Sequence, residues 1–206
     1  MRIRTWRIGG AGLLCGLLWG GGGPLGIDHR WAYSDAGIWK RSVQVDLEDG
    51  VILTELVGSL STQGDTRLGR DFRSAVDASV FTALTAFAAK RAFARARPRK
   101  TDNPDLWFQG PGHESFPSGE VALQASFVTP FIADYHEEHP WVWALEALPA
   151  YDSIARMKAW GHWQTDVLAG WALGTAWGLY AHDRKSPLIF GLLPHGGLAV
   201  EYRLQF

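Results

Sequence analysis

Apolar positions along this 206-residue chain fall into runs of helical length, separated by short polar and Gly/Pro-rich stretches. Residues 51–64, VILTELVGSLSTQG, predict a short helix ended by Gly64. Arg73 to Arg97 is a long helical pattern, rich in Ala, with no Gly or Pro inside it; it must end before Pro98, because the residue before a proline avoids the helical region. Residues 99–117 carry Pro104, Gly110, Pro111, Gly112 and Pro117 and read as a loop. Further helices are expected from Ser118 to about His136, bent near Pro130, from Pro140 to about Leu148, and from His162 to about His182. The ending GLAVEYRLQF alternates apolar and polar residues and fits a short strand, whereas residues 28–50 read as an irregular segment. The expected fold class is all-α, a helical bundle with at most a short C-terminal β-strand.

These helices read as core elements. The longest uncharged run after the N-terminus is VLAGWALGTAWGLYA, fifteen residues. At ~1.5 Å per residue it covers roughly 22 Å, short of the ~30 Å hydrocarbon core of a bilayer. The N-terminus differs: Arg2, Arg4 and Arg7 precede an uncharged run from Ile8 to Ile27 in which nine of twenty residues are glycine. That order of charge, apolar run and small residues is the order of a secretory signal peptide. Residues 1–26 are therefore expected to be a signal peptide or an N-terminal anchor, and 27–206 a single exported domain, periplasmic or membrane-associated. Cys15 follows Leu13 and Leu14, a poor context for a lipoprotein cysteine.

Composition narrows the partners. Twenty basic against twenty-one acidic residues leave a net charge of −1, so there is no electrostatic case for nucleic acid. Eleven tryptophans suit aromatic packing in a helix-rich protein or work near a lipid surface. A single cysteine rules out an intramolecular disulfide and a thiol-rich metal site.

Three clusters carry candidate chemistry. In KRAFARARP, Lys90 and Arg97 are seven apart, two helical turns, and would share a face; basic residues also favour a helix C-terminus for the dipole alone. In ESFPSGEVA, Ser118 and Gly119 lie where a loop becomes a helix, either as a plain cap or as free amides that bind an anion. In ARMKAWGHWQTD, His162 and Asp166 are four apart, so a carboxylate there can fix the imidazole tautomer and free the other ring nitrogen. Arg156 lies six residues before His162, off that helical face, and needs a bend that Gly161 could supply. A helix-start histidine with a surface i,i+4 pair is the bland alternative.

Together the spacings K-x6-R-P, P-S-G and R-x5-H-x3-D, from Lys90 to Asp166, resemble the three-part signature of the type-2 phosphatidic acid phosphatase superfamily, which also holds bacterial class A acid phosphatases and vanadium haloperoxidases. The resemblance implies helix ends converging on a phosphate. Lys90, Arg97 and Arg156 would hold phosphoryl oxygens, with Ser118 and the Gly119 amide adding hydrogen bonds. His162 would attack to form a phosphohistidine, and Asp166 would orient it. It implies no metal and no cofactor, although vanadate could occupy the pocket as an inhibitor. Ala155 replaces the serine usual before the third-motif arginine. More importantly, Glu120 stands where the second motif usually has the histidine that protonates the leaving group. Either Glu120 is a general acid at low pH, or His113 substitutes, or the leaving group needs little help, as a diphosphate would; Glu120 could also be a mere first-turn acid. The expected function is an exported phosphomonoesterase or diphosphatase acting on a phosphorylated small molecule or lipid, with membrane-surface association. A phosphotransferase using the same intermediate and a weakened phosphate-binding relative are the alternatives; the short chain and missing histidine count against a haloperoxidase.

Overall fold

The computed structural model describes residues 22–184, 188–192 and 198–202, the last two stretches as backbone only. The expected signal or anchor segment lies outside the described residues up to position 21. Among the described residues five α-helices form the bundle: α1 Arg41–Ser61, α2 Arg67–Phe93, α3 Gly119–Tyr135, α4 Ala147–Lys158 and α5 Gln164–Asp183. A 3-10 helix, Pro140–Glu146, leads directly into α4. Strands β1 Leu188–Leu192 and β2 Leu198–Tyr202 pair antiparallel, with Leu188 opposite Tyr202 and Leu192 opposite Leu198. The all-α expectation holds for the bundle, and the alternating C-terminal stretch forms the second strand of this hairpin.

Helix α1 begins ten residues earlier than the sequence pattern suggests and runs through Gly50. Its buried positions include Gln44, Val51, Glu55, Gly58 and Ser59, while Leu53, Leu56, Val57 and Leu60 face outward. An amphipathic reading looks for apolar residues on the inner face; here polar residues sit inside, so the first half of the helix reads as irregular. Helix α2 starts at Thr66, whose hydroxyl caps the Gly69 amide, and stops at Ala94, which takes a left-handed conformation at φ 39°. It therefore ends four residues before the expected Arg97. The expected Pro140–Leu148 helix is instead the 3-10 turn and the first residues of α4.

Helices α3 and α5 are the most closely packed pair. Gly170, Gly174 and Gly178 form a stripe at helical spacing on α5, and a Cβ at these positions would strike the Ser118 and Ala122 carbonyls and the Thr129 side chain. The small residues let the two backbones approach, and so fix the start of α3 beside the start of α5. Val51, Phe127, Val128, Phe131, Ile132 and Val142 form an apolar core further along the bundle. Among the described residues, no helix is long and apolar enough to cross a membrane.

The segment before α1 crosses the helix ends. The His29 amide donates to the Gln164 side chain, which donates back to the His29 carbonyl, both at 2.9 Å. The Ser34 amide reaches the Lys158 carbonyl and the Trp160 indole reaches the Trp31 carbonyl. This strap lies over the end of the bundle at which the three sequence motifs meet.

Candidate active site

Each motif residue sits where a helix starts or stops. Lys90 is in the last turn of α2, and Arg97 follows in the extended segment after Ala94. The two do not share a helical face, as their spacing suggests; they meet because the chain turns back over the helix end. Both reach the loop that carries the second motif. Lys90 donates to the Glu114 and Pro117 carbonyls at 3.1 and 2.7 Å, and Arg97 to the Glu114 carbonyl at 3.1 Å and the Gly161 carbonyl at 3.3 Å. Ser118 is the residue before α3, and its amide donates to the Asp166 carbonyl at 2.9 Å.

Arg156 lies in the last turn of α4 and His162 between α4 and α5, not within a helix. The bend between them comes from Trp160, at φ 53°, rather than from Gly161. Gly161 has a different task. A Cβ there would lie 2.7 Å from Arg156 Nη2 and 2.9 Å from its Cζ, so a side chain at this position would push the guanidinium out of its place against the backbone. By contrast, a Cβ at Gly119 would meet only Lys90 Cε, at an ordinary 3.5 Å.

The electrostatics bring these groups together. The His162 imidazole is held well below its ordinary pKa, first by burial and then by Lys90, Arg156 and Arg97, with the Ser115 backbone acting the other way. Burial and then Arg97 lower the Lys90 ammonium to about 8. Burial and then Arg156 and Arg99 lower Arg97, and burial with Arg41 and Arg99 lowers Arg156 against the pull of Glu120. Three cations from the first and third motifs thus press on one neutral imidazole. Three polar atoms in the same group are buried without a hydrogen-bond partner: Ser118 Oγ, Arg156 Nε and His162 Nδ1. Buried polar atoms are normally paired. A tetrahedral oxyanion is the ligand whose charge and acceptors answer the cations, Ser118 Oγ and Arg156 Nε, while His162 Nδ1 faces Asp166.

Asp166 is placed differently from the sequence expectation. Its Oδ2 lies 3.7 Å from His162 Nδ1, an ion-pair distance and not a hydrogen bond. The carboxylate is otherwise occupied: Oδ1 accepts from Arg95 Nη1 at 2.6 Å, and Oδ2 from the Ser115 hydroxyl at 2.5 Å and the Trp163 amide at 3.0 Å. Glu120, in the first turn of α3, accepts from Arg41 and stands 3.7 Å from Arg156. It serves here as the charge partner of two guanidiniums. Gln44 extends this group, accepting from Arg156 at 3.0 Å. His113 is half-buried in the second-motif loop with an unpartnered Nδ1.

Asp28, Arg41, Gln44, Arg95 and Ser115 escaped the sequence reading. Arg41 and Gln44 lie in the stretch read as irregular. Arg95 carried a signal, since it sits two residues from Arg97 inside the first motif, but nothing in the spacing separates a buried structural guanidinium from a ligand-facing one.

Comparison with known proteins agrees with this geometry. The fold resembles the crystal structure of LpxE from Aquifex aeolicus, with a TM-score of 0.53 and 18% identity over 69% of this chain and 84% of that one. No curated protein matches. The model of the PAP2 superfamily matches residues 74–186. That stretch exceeds half of the chain and contains all three motifs, so the chain belongs to the PAP2 superfamily and is a phosphoric ester hydrolase.

Proposed function

We propose that the protein is an exported phosphatase working through a phosphohistidine at His162. The observation that carries this reading is the group of three cations around an imidazole kept neutral first by its burial and then by those cations. A neutral imidazole is a nucleophile and a protonated one is not. Lys90, Arg97 and Arg156 hold the phosphoryl oxygens, together with the Ser118 hydroxyl and the Gly119 amide. His162 Nε2 forms the bond to phosphorus as the bond to the leaving oxygen breaks. The Nδ1–H turns toward Asp166 Oδ2, closing the 3.7 Å gap and holding the charge that develops on the ring. Water then takes the phosphoryl group from His162.

Glu120 sets the leaving group. Its carboxylate is engaged by Arg41 and faces Arg156, so it stands as an ion-pair partner of two guanidiniums and not as a proton donor to the leaving group. This supports a substrate whose leaving group needs little protonation, such as a diphosphate, with His113 the remaining candidate acid. An apolar cavity of about 520 Å³, lined by Leu25, Phe93, Trp107, Phe108, Phe116 and Leu168, supports a lipid-linked substrate. Phe93 lies three residues from Lys90 and Phe116 two from Ser118, so the cavity borders the first two motifs.

A substrate panel tests the reading at neutral pH. An isoprenyl diphosphate and a nitrophenyl phosphate should release phosphate readily, and a soluble alkyl phosphate slowly. Glu120→Gln should leave the first two largely intact, and His113→Ala should affect the alkyl phosphate most. Preference for the alkyl phosphate, or its selective loss in Glu120→Gln, would return the acid role to Glu120.

A further inference from the structure

Arg95 is fully buried and has no donor left over. Its Nε and Nη2 donate to the Pro104 carbonyl at 3.0 and 2.7 Å, Nη1 to Thr165 Oγ1 at 2.9 Å and to Asp166 Oδ1 at 2.6 Å, and Nη2 to Asp28 Oδ2 at 2.6 Å. Five N–H groups meet five acceptor contacts. A guanidinium saturated in this way holds protein and leaves nothing for a ligand.

Asp28 is the other anchor of this network and belongs to the N-terminal strap, outside the stretch matched by the family model. Its Oδ1 accepts from the Thr165 amide at 2.8 Å, and its Oδ2 from the Thr165 hydroxyl at 2.6 Å as well as from Arg95. Thr165 precedes Asp166 in the first turn of α5. Asp28 therefore reaches Asp166 twice, through the Arg95 guanidinium and through the backbone of the residue next to it. All three charged groups are 4% exposed or less.

We propose that Asp28 is a positioning residue for catalysis: acting through Arg95 and Thr165, the N-terminal strap fixes the place and charge balance of the carboxylate beside His162. The proposal rests on the reading of His162 as nucleophile and Asp166 as its partner. Arg95 carries one positive charge between two carboxylates. With Asp28 in place the Asp28–Arg95–Asp166 group is net negative, and Asp166 retains charge to offer the imidazole. Without Asp28 the pair is neutral, and Arg95 draws Asp166 away from the ring.

The test uses the full-length chain and a nitrophenyl phosphate substrate. Asp28→Asn should lower kcat by tenfold or more and leave KM within about twofold, because the phosphate ligands are untouched. The acid limb of the pH–rate profile should move to lower pH, since losing a negative charge makes a protonated His162 harder to form. In the background of Asp166→Asn, Asp28→Asn should have no further effect on kcat, because its route to the imidazole is already cut. Arg30→Ala, which removes a strap contact to the Pro98 carbonyl at 2.9 Å, serves as a control for loosening of the strap and should leave the acid limb in place. Where Asp28→Asn does not fold, Thr165→Val removes the shared hydroxyl and should lower kcat by a smaller factor with KM unchanged, with Thr165→Ser restoring kcat. Equal losses from Asp28→Asn in both backgrounds, or an unmoved acid limb, would overturn the proposal while leaving the site intact. Full activity in Asp166→Asn or His162→Ala would instead overturn the reading on which it rests.

Discussion

Two arginines separated by one residue do opposite work. Arg95 is buried and every donor is used, on two carboxylates, a hydroxyl and one carbonyl. Arg97 is half-buried, donates hydrogen bonds to two backbone carbonyls, and sits among cations that repel it. Around Arg95 the positive charge is met by two carboxylates within the protein. Around Arg97, Lys90 and Arg156 three cations face one carboxylate, Glu120, which Arg41 also shares, and polar atoms are left unpaired. A protein that gathers cations without closing them off has placed its binding energy at the disposal of an anion. The left-handed turn at Ala94 sends Arg95 into the bundle and Arg97 to its rim.

The sharpest way to break the comparison is to delete each arginine. Arg95→Ala strands two carboxylates in the interior and should cost about 3–5 kcal/mol of stability. Arg97→Ala relieves repulsion, so its melting temperature should hold or rise, while kcat/KM on a nitrophenyl phosphate falls by roughly 10²–10³, the usual scale for one transition-state donor. Chemical denaturation and steady-state kinetics on both variants separate the two cases. If Arg97→Ala unfolds the protein and Arg95→Ala does not, the assignment of roles is reversed.

The two regions should also differ in response to a ligand. Orthovanadate or phosphate at about 100 times Kd should stabilise the native protein by ~2.7 kcal/mol, read as a rise in melting temperature. The rise should vanish in Arg97→Ala and Arg156→Ala and persist in Arg30→Ala. A rise of equal size in all three would put the anion elsewhere.

The sequence made the open region legible and hid the closed one. Lys90, Arg97, Ser118, Arg156 and His162 stand at motif spacings, because the chemistry demands those residue types at helix ends. Asp28 and Arg95 are joined by 67 positions of chain and by no periodicity, so only the fold brings them together. Helix α1 was half hidden for a related reason: its inner face carries Gln44 and Glu55 in place of the apolar residues a pattern search weighs. The end of α2 at Ala94 and the bend at Trp160 beyond α4 depend on left-handed backbone at residues that rarely adopt it, and no local signal marks them.

A smaller effect concerns pH. Lys90 in the free enzyme is lowered to about 8, so its charge fades as pH rises through that value. kcat/KM, which reports the free enzyme, should fall on a basic limb near pH 8. Its acid limb should lie below the ordinary histidine value of ~6.5, because burial and three cations hold the His162 imidazole neutral. Lys90→Gln removes one of those cations and should move the acid limb upward. An acid limb at or above 6.5 in the native protein would contradict the electrostatic account. Smaller again is the contrast between glycines. Gly119→Ala adds a methyl at ordinary contact distance and should change stability little, whereas Gly161→Ala displaces Arg156 and should raise KM.

The most direct test is to catch the phosphoryl group on the protein. Full-length enzyme is mixed with a nitrophenyl phosphate, quenched in base within one turnover, since phosphohistidine is lost in acid, and weighed intact and after digestion. The account predicts one added phosphoryl group, located on the peptide that holds His162 and absent in His162→Ala. Turnover by the native enzyme with no phosphoryl adduct, together with activity retained in His162→Ala, would contradict it.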